Sequence, residues 1–350
     1  MWVAILSFFR ETNNNNGNNG YISVKCGCSI IRLELEGRKM RTKAFQQFLT
    51  QISKLTPTQK KQALNYMHKA CNIETIEELL NSTNHCPHCG GVEFIKWGMN
   101  ANIQRYKCKA CRKTFNRLTK TPLARLRYKE KWNNFAKDLV DGKSVKDTSK
   151  HCQIAESTSF RWRHKFLQTP SKIKAKHLHG IVEFDETYFL KSEKGNHHLD
   201  RKPHKRGGWA KQGLSLKEYT PVLIIRDRNG NMTDEILEHS YDGSIAEVML
   251  PILDYDVLLC SDSKSSYKSF AQMFDFAHET INASNGEHVI KGIYHIQNVN
   301  AYDSRLKNWM KRFHGVSTKY LGSYLGWMRM LDRESDLTSK NLLGMSVSKS

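Results

Sequence analysis

The sequence predicts a multidomain α/β protein. Three observations carry that prediction: two Cys-x-x-Cys pairs with 18 residues between them, a switch near residue 180 from helical to strand periodicity, and a formal net charge of +21 on 350 residues that is concentrated in one stretch. An apolar content of 39% over this length suits two or three packed cores rather than one. No run approaches the roughly 18 apolar residues that span a bilayer, and Trp2 to Phe9 has no basic leader. The expectation is a soluble, cytoplasmic protein with no membrane partner.

The charge has an address. Ala101 to Gly180 holds 21 Lys/Arg against 5 Asp/Glu, a surplus of +16 in 80 residues. A local basic block on a folded chain reads as a docking surface for nucleic acid, the alternative being a merely basic surface.

In chain order, residues 1–39 read as a disordered or spurious extension. Their Asn-rich Asn13 to Asn19 stretch cannot bury a core, and Met40 immediately precedes the organised sequence. Residues 40–82 form a helical lead-in: Ala44 to Ile52 and Lys60 to Met67 are apolar-periodic and separated by Leu55-Thr-Pro57. In 83–118, Cys86-Pro-His-Cys89 and Cys108-Lys-Ala-Cys111 have the spacing of a four-thiolate Zn²⁺ site, in which each tight turn presents two sulfurs to one ion. Val92, Phe94, Ile95 and Trp97, then Ile103, Arg105 and Tyr106, supply the ribbon strands, with Gly90-Gly91 in the first turn. A redox dithiol is the competing reading. His85 and His88 are surplus to such a site and read as surface residues.

Residues 125–170 predict a helix-turn-helix. Lys129 to Val140 is amphipathic, Gly142-Lys-Ser144 breaks it, Ser144 N-caps a helix to about Cys152, and a second helix runs from Thr158 to Leu167. That last helix carries Arg161, Arg163, His164 and Lys165, which would face the major groove, while Phe160, Trp162 and Phe166 pack inward. A plain three-helix bundle fits the same pattern. Pro170 to His179 reads as a linker.

Residues 180–335 predict a mixed-sheet domain. Ile181 to Asp185, Val222 to Ile225, Glu235 to Leu237 and Val257 to Ser261 read as strands. Helices are expected at Ile245 to Leu253, Tyr267 to Met273, Val299 to Phe313 and Lys319 to Leu331, and 336–350 as a tail. Asp185 ends the first strand and Asp262 follows the fourth, so one sheet could hold both carboxylates over a pair of hard cations. Glu183 and Glu186 are alternatives, although Glu186 should face away from Asp185.

The ordered motifs from Met40 onward resemble one family. They are Cys86-Pro-His-Cys, Trp97-Gly98, Arg105-Tyr-Lys-Cys-Lys-Ala-Cys-Arg-Lys-Thr-Phe115, Thr121-Pro-Leu123, Phe160-Arg-Trp-Arg-His-Lys-Phe166, Phe184-Asp-Glu-Thr-Tyr188, Ser192-Glu-Lys-Gly195, Arg201-Lys-Pro-His-Lys-Arg-Gly-Gly208 and His295-Ile-Gln-Asn-Val-Asn300. The chain is similar in these to bacterial insertion-sequence transposases of the DDE superfamily, in the group with a zinc ribbon ahead of an RNase H-like domain. The resemblance implies that Asp185 and Asp262 are the first two catalytic residues, that Asn300 takes the third, usually acidic, position, and that Lys307 is the basic residue seven further on. An amide oxygen there can ligate Mg²⁺ or Mn²⁺ but brings no charge; Asp303, one turn on, is the replacement ligand if Asn300 is not used. Lys307 could equally be a solvated surface lysine.

The resemblance further implies one structural Zn²⁺ and two catalytic Mg²⁺ or Mn²⁺ ions. It implies double-stranded DNA as partner, both inverted-repeat ends and target, a homodimer or higher oligomer on it, and a nucleoid-associated location in a bacterium. Lys202, Lys205 and Arg206 would contact the DNA backbone, or else lie in a disordered loop. The activity implied is metal-dependent strand cleavage and transfer. A catalytically inactive DNA-binding regulator, or a nuclease that cleaves without joining, are the alternatives.

Overall fold

The computed structural model describes residues 22–26, 29–33, 42–64, 66–67, 85–100, 103–199, 218–238, 242–334 and 336–347. The chain divides into two compact units, one of 1–78 with 128–131 and one of 79–127 with 132–350. Among the described residues, no helix is long and apolar enough to cross a membrane.

The first unit contains two short antiparallel strands, β1 (Ile22–Cys26) and β2 (Ser29–Leu33), in register from Ile22 opposite Leu33 to Cys26 opposite Ser29. Both strands fall within the stretch 1–39 read above as a disordered or spurious extension; Ile-Ser-Val and Ser-Ile-Ile-Arg-Leu carry the β-branched residues that favour pairing. The Asn-rich stretch lies outside the described residues. Helix α1 (Thr42–Lys54) and a second helical run over 57–64 form the expected lead-in, with Thr56 at the break, where its backbone N–H donates to Gln59 Oε1 at 3.0 Å.

In the second unit, β3 (Phe94–Asn100), β4 (Ile103–Cys108) and β5 (Thr114–Asn116) make a three-stranded antiparallel sheet. Its core is aromatic: Phe94 meets Tyr106 and Phe115 edge-on at 5.2 and 5.4 Å. Gly98, at φ +70°, sits where the register slips between Lys96 and Met99, a bulge that a side chain would strain.

Three helices follow: α2 (Trp132–Val140), α3 (Val145–Cys152) and α4 (Glu156–Leu167). Ser144 caps α3 as expected, its Oγ accepting from the Asp147 N–H at 3.2 Å. Trp132, Phe135, Trp162 and Phe166 are buried between α2 and α4.

The sheet of the remaining domain is mixed. β6 (Ile181–Leu190), β7 (Tyr219–Asp227) and β8 (Met232–Ile236) run antiparallel in sequence; after helix α5 (Asp242–Met249), β9 (Leu258–Asp262) joins β6 in parallel, and after α6 (Ser265–Met273), β10 (Ala277–Ile281) joins β9 in parallel. The order is β10-β9-β6-β7-β8. Two long helices, α7 (Gln297–Lys311) and α8 (Leu321–Arg333), and a shorter one, α9 (Ser339–Val347), complete the unit.

Two expectations about boundaries change. Residues 336–350 are not simply a tail: α9 buries Leu342 and Leu343, and its Ser346 Oγ donates to the Phe166 carbonyl at 2.8 Å. The linker at 170–179 is held in place, because Arg329 of α8 donates to the carbonyls of Ile173 and Ser171 and forms a buried ion pair with Asp234 of β8. Gly326 allows that approach; a Cβ there would lie 2.2 Å from Ser171 Cα.

Candidate active site and cysteine cluster

The β6–β9 register pairs Ile181 with Leu258 and Glu183 with Cys260. That pairing stops there: β9 ends at Asp262, whereas Asp185 lies mid-strand in β6, which runs on to Leu190, so the expectation that Asp185 ends its strand is corrected; the two are near enough for the charge of Asp262 to act on the Asp185 carboxyl. The two expected carboxylates are thus brought together. Asp185 Oδ1 accepts from the Glu186 N–H at 2.8 Å, and Asp262 Oδ1 from the Lys264 N–H at 3.1 Å. Burial pushes the Asp185 carboxyl up to about 6, and the charges of Asp262, Asp303 and Glu186 add to that push against the pull of its one backbone hydrogen bond. A group of carboxylates that repel one another in a half-buried place is one that a divalent cation would relieve.

Helix α7 brings the remaining candidates. Val299, Tyr302, Leu306 and Trp309 are its buried stripe. Asn300 and Lys307 lie on the exposed flank, while Asp303 is intermediate. Lys307 Nζ donates to Asp303 Oδ2 at 2.7 Å, and Asp303 Oδ1 is buried without a hydrogen-bond partner.

What fixes α7 against the sheet is Glu183. It sits two residues before Asp185 on the same face and is almost wholly buried. Its Oε2 accepts from the backbone N–H groups of Asn298 and Val299 at 2.8 and 3.2 Å, and its Oε1 from Asn298 Nδ2 at 2.7 Å, with Arg228 Nη1 at 3.0 Å. A strand carboxylate thereby caps the helix N-terminus, where the first-turn N–H groups have no partner of their own. All its oxygens are engaged, so Glu183 is a brace and not a free ligand. Glu186 points to the other face as expected, bonded to Tyr188 and to Lys264 Nζ at 2.7 Å.

Sequence reasoning missed several members of this shell. Tyr267 of α6 packs edge-on against Phe184 at 4.7 Å, and burial together with Glu186, Asp185 and Asp262 holds its hydroxyl protonated far above the ordinary range. Lys264 and Arg228 carried no periodic or motif signal. Beside α7, a groove of about 680 Å³ is lined by Tyr188, Lys191, Lys194, Lys307 and Lys311 among others. Lys194 also donates to the carbonyls of Phe313, His314 and Gly315, just beyond α7.

The expected DNA-reading helix divides. Arg161 and Lys165 of α4 are exposed. Arg163 and His164 are not, which corrects their assignment. Arg163 is fully buried, donating to the Lys143 carbonyl at 2.6 Å with its guanidinium 4.8 Å from the Trp327 ring centroid. His164 stacks on Tyr320 at 4.1 Å, both ring nitrogens buried; burial, aided by Arg163 and Lys319, lowers its pKa to about 4. Lys202, Lys205 and Arg206 lie outside the described residues.

Cys86, Cys89, Cys108 and Cys111 converge at one end of the small sheet, all four sulfurs within 4.8 Å of one another. Cys86 and Cys111 are 3.8 Å apart and Cys89 and Cys108 3.6 Å, too long for disulfides. Sulfurs at about 2.3 Å from a tetrahedral ion would be roughly 3.8 Å apart, so the set fits Zn²⁺. The turns are built for it: Gly90 N–H donates to the Cys86 carbonyl at 2.9 Å, and His88 N–H to Cys86 Sγ at 3.4 Å.

Residues 177–329 match the ISXO2-like transposase domain, a span that takes in Asp185, Asp262, Asn300, Asp303 and Lys307. A protein of Halobacterium salinarum described as an uncharacterized protein in transposable element ISH50 is 25% identical over 245 residues, 69% of this chain and 82% of that one. Among solved structures, a chain of a simian T-cell lymphotropic virus intasome in complex with a PP2A regulatory subunit aligns at a TM-score of 0.26 and 9% identity, over 55% of this chain and 66% of that one. A chain of a pre-cleavage Mos1 transpososome aligns at 0.20 and 11%, over 55% and 72%. Superpositions that loose bear on neither fold nor function. The family match agrees with the ordered motifs: over residues 177–329 the chain is similar to the ISXO2-like transposase domain.

Proposed function

We propose that the chain is the transposase of an insertion sequence, binding terminal inverted repeats and catalysing strand cleavage and strand transfer. The observation that carries this is the nearness of Asp185, in the middle of β6, to Asp262, at the end of the parallel neighbour β9, with the charge of Asp303 on α7 acting on Asp185 as well. The sheet order and strand directions support an RNase H-like reading of the domain.

Two Mg²⁺ or Mn²⁺ ions, held by Asp185 and Asp262 with a donor from α7, would supply activation of the attacking oxygen and stabilisation of the leaving one. The chain's own groups do the rest. Glu183 fixes the distance between helix and sheet; Tyr267 closes the back of the site with a neutral hydroxyl; Lys307, Lys311 and Lys191 line the groove as point charges for phosphates. In the first step a water oxygen attacks the phosphodiester at the element's end, and the bond to the 3′-oxygen breaks to leave a 3′-OH. In the second, that hydroxyl attacks a target phosphate in line, displacing the target's 3′-oxygen.

For DNA binding, the four cysteines would hold one structural Zn²⁺, and Arg161 and Lys165 are the groups of α4 that reach out, in keeping with a helix-turn-helix. Lys202, Lys205 and Arg206 are proposed backbone contacts, and pairing of two ends calls for a dimer. Incubating the purified chain with labelled inverted-repeat ends and Mn²⁺ tests the reading. Joined products that disappear in Asp185→Ala and Asp262→Ala are expected. Cleavage without joining would identify a nuclease, and metal-independent binding with neither would identify a regulator.

A further inference from the structure

We propose that the solvent face of the small cysteine-bearing sheet is a platform for an unpaired DNA strand, on which Trp97 stacks against a base while Arg105 and Lys107 take the neighbouring phosphates. The choice of DNA rests on the transposase reading, to which the platform adds a contact surface of its own.

Strand pairing fixes which side chains share this face. Ile95 lies opposite Lys107, and Lys107 and Arg105 lie opposite Thr114 and Asn116 respectively. Directly opposed residues of an antiparallel sheet point the same way, so these five make one face. The other face is the aromatic core of Phe94, Tyr106 and Phe115. Trp97 belongs to the first, because Lys107 Nζ stands 4.3 Å from its ring centroid. The bulge at Gly98 re-aims the strand at that point, and Gln104 Nε2 holds it by donating to the Gly98 carbonyl at 3.0 Å. Across the face, Arg105 Nη2 donates to Thr114 Oγ1 at 3.4 Å.

Exposure singles out the ring. Among the described residues, Trp132, Trp162, Trp309 and Trp327 are buried, whereas Trp97 is 45% exposed, as is Ile95 beside it. Apolar surface rimmed by polar groups marks a contact site. The charge around it names the partner. From Cys86 to Leu118 there are seven Lys/Arg, and the one acidic residue, Glu93, is paired with Lys109 at 3.3 Å. A surface that offers both cations and a bare indole suits a polyanion with flat apolar groups, which is a nucleic-acid strand.

The same ring says that the strand is unpaired. In a duplex the base faces are covered by their neighbours and only edges and phosphates are offered, so an indole on a flat sheet has nothing to stack on. Three strands about 4.8 Å apart give a width of roughly 10 Å, enough for two or three splayed nucleotides. Lys107 already holds the ring from one side, so less ordering remains to be done on binding. The nick made in the proposed first step frays more readily than intact duplex and supplies such a strand.

The test is fluorescence anisotropy of the zinc-loaded full-length chain with a labelled oligothymidylate and with an inverted-repeat duplex, at several salt concentrations. Zinc content and unfolding temperature of each variant are first matched to those of the unchanged chain. Trp97→Ala should weaken oligothymidylate binding about five- to a hundredfold, and Trp97→Phe, which keeps a ring, by less. Arg105→Ala and Lys107→Ala should each lower the salt slope for the single strand by about 0.7. Duplex affinity should not change in Trp97→Ala. Oligothymidylate binding that is absent, or that Trp97→Ala leaves intact, overturns the platform; joining that still depends on Asp185 and Asp262 then leaves the transposase reading standing. Equal losses for strand and duplex assign the face to paired DNA and also overturn it. So does a dimer, seen by sedimentation without DNA, that Trp97→Ala dissociates, because a second copy then covers the face. A chain that binds the single strand through Trp97 yet joins no ends keeps the platform and loses the transposase reading.

Discussion

The cysteine cluster and the carboxylate site are built in opposite ways. In the ribbon, each pair of ligands lies within one tight turn, and the spacer between the pairs is itself the hairpin that joins them, so a span of 26 residues, Cys86 to Cys111, is complete in itself. In the sheet domain, Asp185, Asp262 and the α7 residues come from elements separated by loops and helices, and they meet only because β9 inserts beside β6 and Glu183 holds α7 down. A local site stands or falls with its metal. A dispersed one stands with its packing and is merely emptied when the metal goes.

The largest effect should therefore come from removing the zinc ion that the four cysteines are proposed to hold. Its core is three aromatic residues and two buried cysteines, too little for independent stability, and structural zinc contributes on the order of 10 kcal/mol to such a fold. Chelation, or Cys108→Ser, should unfold 85–116 and abolish inverted-repeat binding. The amide exchange of the β6–β9 pairing should be unchanged. Fast exchange in both regions would show that the ribbon is not a separate cooperative unit.

Next in size are the braces of the dispersed site. Glu183→Ala leaves the Arg228 guanidinium and two helix N–H groups without their buried partner and should cost about 3–5 kcal/mol. It should weaken Mn²⁺ binding although Glu183 touches no ion. In α4, Arg163→Ala should cost about 3 kcal/mol through lost packing and hydrogen bonds, while Arg161→Ala should stay within about 0.5 kcal/mol. DNA binding should respond in reverse: Arg161→Ala lowers the salt dependence by about one unit of slope if it contacts a phosphate. Denaturant curves and binding isotherms at several salt concentrations separate the two residues.

This contrast also sorts what was legible in the sequence. Whatever is encoded within a turn or a short run could be read: the cysteine pairs, the Ser144 cap, the strand ending in Asp262; β6, by contrast, runs past Asp185 to Leu190 because β7 pairs with it along its length. What depends on a distant partner could not. β5, three residues long, and β10, Ala-His-Glu-Thr-Ile, carry no apolar alternation and exist because a neighbour offers hydrogen bonds. Leu342 and Leu343 looked like part of a tail until α9 had α2 and α4 to bury them against. Arg163 and His164 read as solvent-facing because they are basic, yet Trp327, Tyr324 and Tyr320, some 160 residues on, enclose them.

The enclosure of His164 makes the smallest effect and the most specific one. Its pKa in the folded chain is about 4, below the ordinary 6.5, with burial the main cause and Arg163 and Lys319 adding to it. Between those two values the unfolded chain binds a proton that the folded chain does not, so stability must fall as pH drops from about 6.5 to about 4 and level off below. The opposite sign holds at Asp185, whose carboxyl is raised to about 6: the folded, metal-free chain takes up a proton there before the unfolded one does, which favours folding as pH falls through the same window. The two trends oppose each other in the total and separate by substitution. His164→Phe, which keeps a ring against Tyr320, should remove the destabilising trend and leave the metal-free protein more stable at pH 5 relative to pH 7 than the unchanged chain is. Asp185→Asn should do the reverse, and Mn²⁺ should mask its effect in the unchanged chain alone. Thermal unfolding at pH 5 and pH 7, with and without Mn²⁺, reads all of these; a His164→Phe chain whose pH dependence matches that of the unchanged protein would mean that the imidazole is protonated within its aromatic cage.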